Sequence, residues 1–133
     1  MAKGKIFEAI FNFVGNAIKY TSEGVVVLKI ELASESCYEP RNGDDDAKGP
    51  ISGPVIRVTV SDTGMGISKE DIPYLFAKFS RRDAAHMNSE GTGLGLYVVK
   101  LVIEAHGGRT WAESEGEGEG SRFVIEIPVN HAA

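Results

Sequence analysis

Cysteine is almost absent. Cys37 stands alone in 133 residues, so no internal disulfide can form, which suits a reducing compartment. Long apolar runs are missing too. No stretch reaches the ~18 residues of a membrane span, and the start, Met1-Ala-Lys-Gly-Lys5, lacks the apolar core of a secretory signal. The chain is therefore expected to be soluble and cytoplasmic, while a parent protein could still be anchored to a membrane through other segments. Basic residues are outnumbered: 14 Lys and Arg against 19 Asp and Glu give a formal charge of −5. That disfavours general nucleic-acid binding, which needs a basic surface, but leaves room for a local phosphate site. Histidine is scarce, at His86, His106 and His131, and none is followed by an acidic residue.

What is present suits one domain, residues 1–133. Ile6, Ile10, Phe13, Val14 and Ala17 recur at helical spacing, which predicts an amphipathic helix over 5–20. The β-branched run 25–32 predicts a strand, and 55–60 a second one. Between them, residues 34–53 collect acids, glycines and prolines, an acidic loop of unusual length for neighbouring strands. It reads either as a tolerated insertion in a hairpin or as a docking loop. Ser68 is placed as a helix N-cap, with Asp71 at the capping-box distance. Residues 80–92 read as a mobile loop. A second long helix is predicted over 94–105, burying Leu94, Val98, Leu101, Val102 and Ala105 and ending at Gly107-Gly108. Strands over 110–114 and 122–127 flank a Glu/Gly turn, read as solvated.

Three features carry chemistry. Asn12, Asn16 and Lys19, spaced i, i+4, i+7, fall on one helical stripe away from the apolar face. Two amide oxygens and an ammonium suit a magnesium–triphosphate, although a polar face turned to solvent would look the same. Asp62-Thr-Gly-Met-Gly66 follows a strand. Its carboxylate can accept a hydrogen bond from an exocyclic amine, and Gly64 and Gly66 let the backbone approach a flat base. Alone, it also reads as an ordinary strand-to-helix turn. Gly91-Thr-Gly-Leu-Gly-Leu96 opens a helix, where unpaired N–H groups and the dipole favour phosphate.

In this order the three elements resemble the ATPase superfamily shared by gyrase, Hsp90, histidine kinases and the MutL mismatch-repair protein. Phe11-Asn-Phe-Val-Gly-Asn-Ala-Ile-Lys-Tyr-Thr21 resembles its N box and Asp62-Thr-Gly-Met-Gly-Ile67 its G1 box. Leu75-Phe-Ala-Lys-Phe-Ser-Arg81 resembles its F box and residues 91–96 its G2 box. His106-Gly-Gly108, then Gly120-Ser-Arg-Phe123, resembles the histidine-kinase ending. The resemblance implies a two-layer α/β sandwich of the Bergerat type, with a mixed, largely antiparallel sheet covered by helices on one face. It implies ATP and Mg2+ as cofactors. Asn12 and Asn16 would hold the metal, and Lys19 and Tyr20 would lie at the nucleotide. Asp62, Gly64, Gly66, Ile67 and Phe76 would form the base pocket. Arg81, or its neighbour Arg82, would reach the γ-phosphate from a lid over 80–92, and Gly91, Thr92, Gly93, Leu94 and Gly95 would cradle phosphate. It also implies a strand ahead of the first helix, so the chain looks trimmed at its N-terminus.

Asn12 helps to choose a branch. The hydrolase branches carry a water-activating glutamate there, and an amide cannot act as a general base. Glu8, one turn earlier, is on a neighbouring face. The implied function is phosphoryl donation from Mg-ATP to a histidine on a separate dimerisation domain, within two-component signalling through a response regulator. The three histidines lack the acidic neighbour of a phosphoacceptor, so the chain, expected to be monomeric, should not phosphorylate itself. A related ATPase or protein serine kinase is the alternative, and a catalytically silent nucleotide-binding module is another.

Overall fold

A computed structural model describes residues 3–19, 21, 23–38, 49, 51–72, 75–76 and 95–129. Helix α1 spans Lys3–Lys19 and helix α2 spans Gly95–Ala105. Strands β1 (Val26–Ala33), β2 (Val55–Asp62), β3 (Arg109–Glu113) and β4 (Ser121–Pro128) form one sheet in the order β1-β2-β4-β3, every described pair antiparallel. Both helices lie on one face, α1 over β1 and β2, α2 over β3 and β4. The expected two-layer α/β sandwich is therefore present.

Strand alternation explains the layers. Val58, Val60, Ala112, Phe123 and Ile125 point toward the helices and join Ala9, Phe13, Ala17, Leu96, Val99 and Ile103 in one buried core. Phe13 sits against Phe123 and Phe76, with ring centroids 5.2 and 6.4 Å away. In α1 the buried stripe is Ala9–Phe13–Ala17, while Ile10 and Val14 pack at its margin. In α2 the expected face is wrong. Leu96, Val99 and Ile103 are buried, whereas Val98, Leu101 and Ala105 are exposed. That helix is apolar nearly all round, so its spacing does not reveal which side meets the sheet. It ends as expected: Gly107 takes φ 80°, and Gly108 N donates to Ile103 O at 2.9 Å. The N-cap at Ser68 is not realised as an α-helix. Residues 68–71 make a turn, with Asp71 N donating to Ser68 O at 2.9 Å.

The face away from the helices is not left bare. After β1 the chain folds back across it. Ser36 Oγ and Cys37 N donate to the carboxylate of Glu126, at 2.5 and 3.0 Å, and Arg57 Nε donates to the same group at 2.9 Å. Glu126 is fully buried, and these three donors supply what water would otherwise give it. Tyr38 then packs on Trp111 of β3, centroids 5.3 Å apart, with Val124 beside them. Farther along the connection, Gly49 O accepts from Arg109 Nε, also on β3, at 3.0 Å. The described ends of the 34–53 loop thus form a strap from one sheet edge to the other, which neither reading of it as a hairpin insertion nor as a docking loop anticipated.

Candidate functional site

The site begins where α1 crosses the C-terminal end of β2. Asn12 and Asn16 are half-buried on α1, and Asn16 Nδ2 donates to Asn12 Oδ1 at 3.2 Å. No hydrogen bond from the described residues reaches Asn16 Oδ1, so that oxygen keeps its acceptor capacity for a ligand. Lys19 lies exposed in the last turn, where the helix dipole favours a cation.

Facing it is the loop 62–67. Gly64 N donates to Asp62 Oδ1 at 2.8 Å, closing a tight local turn, and Ser121 Oγ donates to Asp62 Oδ2 at 2.8 Å. The carboxylate is thereby fixed in direction, and each oxygen still has a lone pair to offer. Thr63 ties the loop to the turn before β1: its N–H donates to Val25 O, and its Oγ1 accepts from Val25 N at 3.0 Å.

The rest of the loop is moulded by the 114–120 hairpin. Gly118 N donates to Met65 O at 2.7 Å, and Ile67 N donates to Ser114 Oγ at 3.1 Å. Ser114 Oγ in turn donates to Gly120 O at 2.7 Å. Gly66, at φ 71°, lies so close to Gly116 O that a Cβ could not be accommodated. Its missing side chain is used by this hairpin contact, a reason that the sequence does not disclose. The Glu/Gly turn is therefore a docked support and not merely a solvated loop.

Asn16, Asp62, Met65, Gly66, Ile67 and Ser121 line one cavity of about 10 Å³, floored by Ala17 and Phe123. Of the described residues expected at the site, Asn16, Asp62, Gly66 and Ile67 meet in this cavity, whereas Asn12, Lys19, Gly64 and Phe76 do not line it. The space suits about one water, so a planar base would have to widen it. A larger depression of about 440 Å³ shares Asp62 and Ser121 but is flanked by Glu113, Glu115 and Glu119. Among its described lining residues the one cation, Arg122, is paired with Glu113. That charge disfavours a polyphosphate in the depression. Phe76 sits 6.3 Å from Phe123 by ring centroids and packs against the core there. Gly95 opens α2. Tyr20, Arg81, Arg82, Gly91, Thr92, Gly93 and Leu94 lie outside the described residues.

Sequence reading missed Thr63, Ser114 and Ser121. Each acts through a partner distant along the chain, and a lone hydroxyl residue carries no local sign of that.

A two-layer α/β fold with a helix-borne amide pair facing a strand-end aspartate defines a nucleotide-binding class. The chain matches the family of histidine kinase-, DNA gyrase B- and HSP90-like ATPases over residues 2–131 and belongs to it. Among solved structures it resembles full-length ShkA in complex with AMPPNP, at 29% identity and TM-score 0.67, over 98% of this chain and 22% of that one. It also resembles the nucleotide-free catalytic domain of the histidine kinase ThkA, at 30% identity and TM-score 0.60, over 96% of this chain and 68% of that one. The mycobacterial sensor histidine kinase MprB shares the fold at 23% identity and TM-score 0.65, over 94% of this chain and 70% of that one. The chain spans 22% of the length of ShkA. No helix among the described residues is long and apolar enough to cross a membrane.

Proposed function

We propose that residues 1–133 form the ATP-binding catalytic domain of a histidine kinase, a module that holds Mg-ATP and donates its γ-phosphoryl group to a histidine on a separate dimerisation domain. The observation that carries this reading is that Asn16 and Asp62 line the same cavity. Asp62, already oriented by Gly64 and Ser121, would accept the adenine amine. Gly64, Gly66 and Ile67 would shape the base pocket, with Phe76 beneath. Met65 lines the closed cavity and is 49% exposed, so its unbranched side chain can repack to admit the base. Lys19 and Tyr20 would lie along the nucleotide, Arg81 or Arg82 would reach the γ-phosphate, and Gly91 to Gly95 would hold phosphate at the start of α2.

The donor set fits a metal delivered by its ligand. Among the described residues no group of three His, Cys, Asp or Glu could hold an ion alone. The Asn12 and Asn16 amide oxygens are hard, neutral donors, suited to Mg2+ that arrives bonded to phosphate. When bound, Mg2+ neutralises charge on the transferring phosphoryl group.

Two observations favour a donor over a hydrolase. Asn12 cannot abstract a proton from water. Glu8 is exposed and pairs with Lys5 at 3.6 Å. His106 Nδ1 is 2.8 Å from Val102 O, engaged at the end of α2, and none of the three histidines is followed by an acid, so the acceptor histidine is expected on another domain, and a response regulator downstream of it. A cytoplasmic location follows from that role.

The test is titration of a non-hydrolysable Mg-ATP analogue into the wild type and Asp62→Asn. Asparagine keeps one acceptor for Gly64 N and offers an amide to Ser121 Oγ, so the fold should survive. Affinity should fall by about tenfold or more, the worth of a hydrogen bond to a charged group. Undiminished binding would remove the adenine assignment. Steady-state hydrolysis lost in Glu8→Ala would favour the ATPase alternative.

A further inference from the structure

One side chain stands between the small cavity and solvent. Among its described lining residues, Ala17, Ile67 and Phe123 are buried, and Asn16, Asp62, Gly66 and Ser121 are half-buried. Met65 alone is exposed, at 49%. The backbone around it is held. Asp62 closes its turn onto Gly64 N, Thr63 is tied to Val25, and Met65 O accepts from Gly118 N at 2.7 Å. Gly66 is pressed against Gly116 O. A base entering a space of about 10 Å³ therefore has to displace the Met65 side chain and not its backbone. A thioether suits that task, being unbranched, soft and able to pack on an aromatic ring. It is also the one group lining the cavity that a peroxide readily oxidises.

We infer, resting on the nucleotide reading of this cavity, that Met65 is an oxidation site that sets access to it, the thioether admitting the base and the sulfoxide refusing it. The oxidant is a peroxide. The sulfur lone pair attacks one peroxide oxygen, so an S–O bond forms as the O–O bond breaks. With hydrogen peroxide the other oxygen leaves as hydroxide, takes the proton of the transferred oxygen and departs as water. Sulfur is oxidised by two electrons and the peroxide is reduced by two. A thiol-dependent sulfoxide reductase reverses the change. The product carries a partly negative oxygen on a pyramidal sulfur. Turned inward, that oxygen meets the Asp62 carboxylate and the apolar floor of Ala17 and Phe123. Ser121 Oγ cannot relieve it, because its hydrogen is already given to Asp62. Turned outward, the sulfoxide is solvated, but the pocket loses the apolar wall that a base needs.

The test uses the full chain carrying Cys37→Ser, so that no thiol competes for the oxidant. Serine keeps the backbone N–H that Cys37 gives to Glu126 and puts a hydroxyl in the thiol's place. Affinity for a non-hydrolysable Mg-ATP analogue is measured before and after hydrogen peroxide. Peptide mass spectrometry should place an added oxygen on Met65. Affinity should fall by about tenfold or more, the scale of a buried polar group left unsatisfied, and methionine sulfoxide reductase should restore it. Met65→Leu, whatever its starting affinity, should not respond to peroxide, which separates Met65 from Met1 and Met87. Met65→Gln, polar and of similar length, should lower affinity with no oxidant. Circular dichroism should be the same before and after oxidation. Binding that survives complete oxidation of Met65 would overturn the inference alone. So would a Met65 that peroxide leaves intact, a Met65→Leu chain that loses affinity as its parent does, or a fold lost on oxidation. An unoxidised chain that does not bind the analogue would overturn the nucleotide reading, and this inference with it.

Discussion

At the scale of single residues, chemistry and position were separable. Asp62, Asn12 and Asn16 could be picked out as candidates from the sequence because residue type and spacing on one element place a chemical group. Ser121, which aims Asp62, was not legible, because its hydrogen bond joins residues far apart in the chain. Cys37 shows the same limit. Nothing in its neighbours marks it, yet its thiol lies beside the buried Glu126. Burial first, and then the Glu126 carboxylate, push the thiol's pKa above its ordinary value, although the residue as a whole is exposed. A raised value means that stability from the protonated thiol is complete below the ordinary thiol range. It is lost as pH rises through the folded value. Iodoacetamide should therefore alkylate Cys37 more slowly at pH 8 than an unstructured cysteine peptide, about pH 8.5 being the free thiol's midpoint. Glu126→Gln should speed the reaction without reaching the peptide's rate, because burial remains.

At the scale of elements, type and order were readable, but which face turns inward was not. Strands announced themselves by β-branched runs, and alternation then assigned their faces. The face of α2 was misread because its polar residues are too few to mark an outside. The loop 62–67 was recognised by its aspartate and glycines, but its shape comes from the hairpin beneath it. Gly66→Ala tests that dependence. The new Cβ meets Gly116 O while the backbone stays at φ 71°. A loss of about 2 kcal/mol or more is expected, combining left-handed strain with the displaced hairpin. Chemical denaturation measures it. Nucleotide affinity should fall with it, since Asp62 rides on the same loop. Full stability in the variant would mean that the loop does not need its mould.

At the scale of the whole molecule, the proposed donor role leaves the acceptor histidine to another domain. Incubated alone with γ-labelled ATP it should acquire no label, whereas an added dimerisation domain bearing the phosphoacceptor histidine should become labelled. Label on this chain alone would contradict the donor role. The strap across the open face has a different kind of consequence. Neighbours β1 and β2 could have been joined by a short turn, which would have let that pair form early and fray independently. Their connection is instead fastened to β4 and β3, through Glu126 and Trp111. Opening either edge of the sheet therefore disturbs the other, and local and global unfolding merge into one event. Amide hydrogens of Trp111 and Val124 should exchange with solvent as slowly as those of the helix-side core, such as Ile125. Faster exchange at Trp111 and Val124 would show that the strap opens by itself. Through its described ends, a segment that looks in sequence like a disposable insertion is thus expected to make the domain unfold as a single unit.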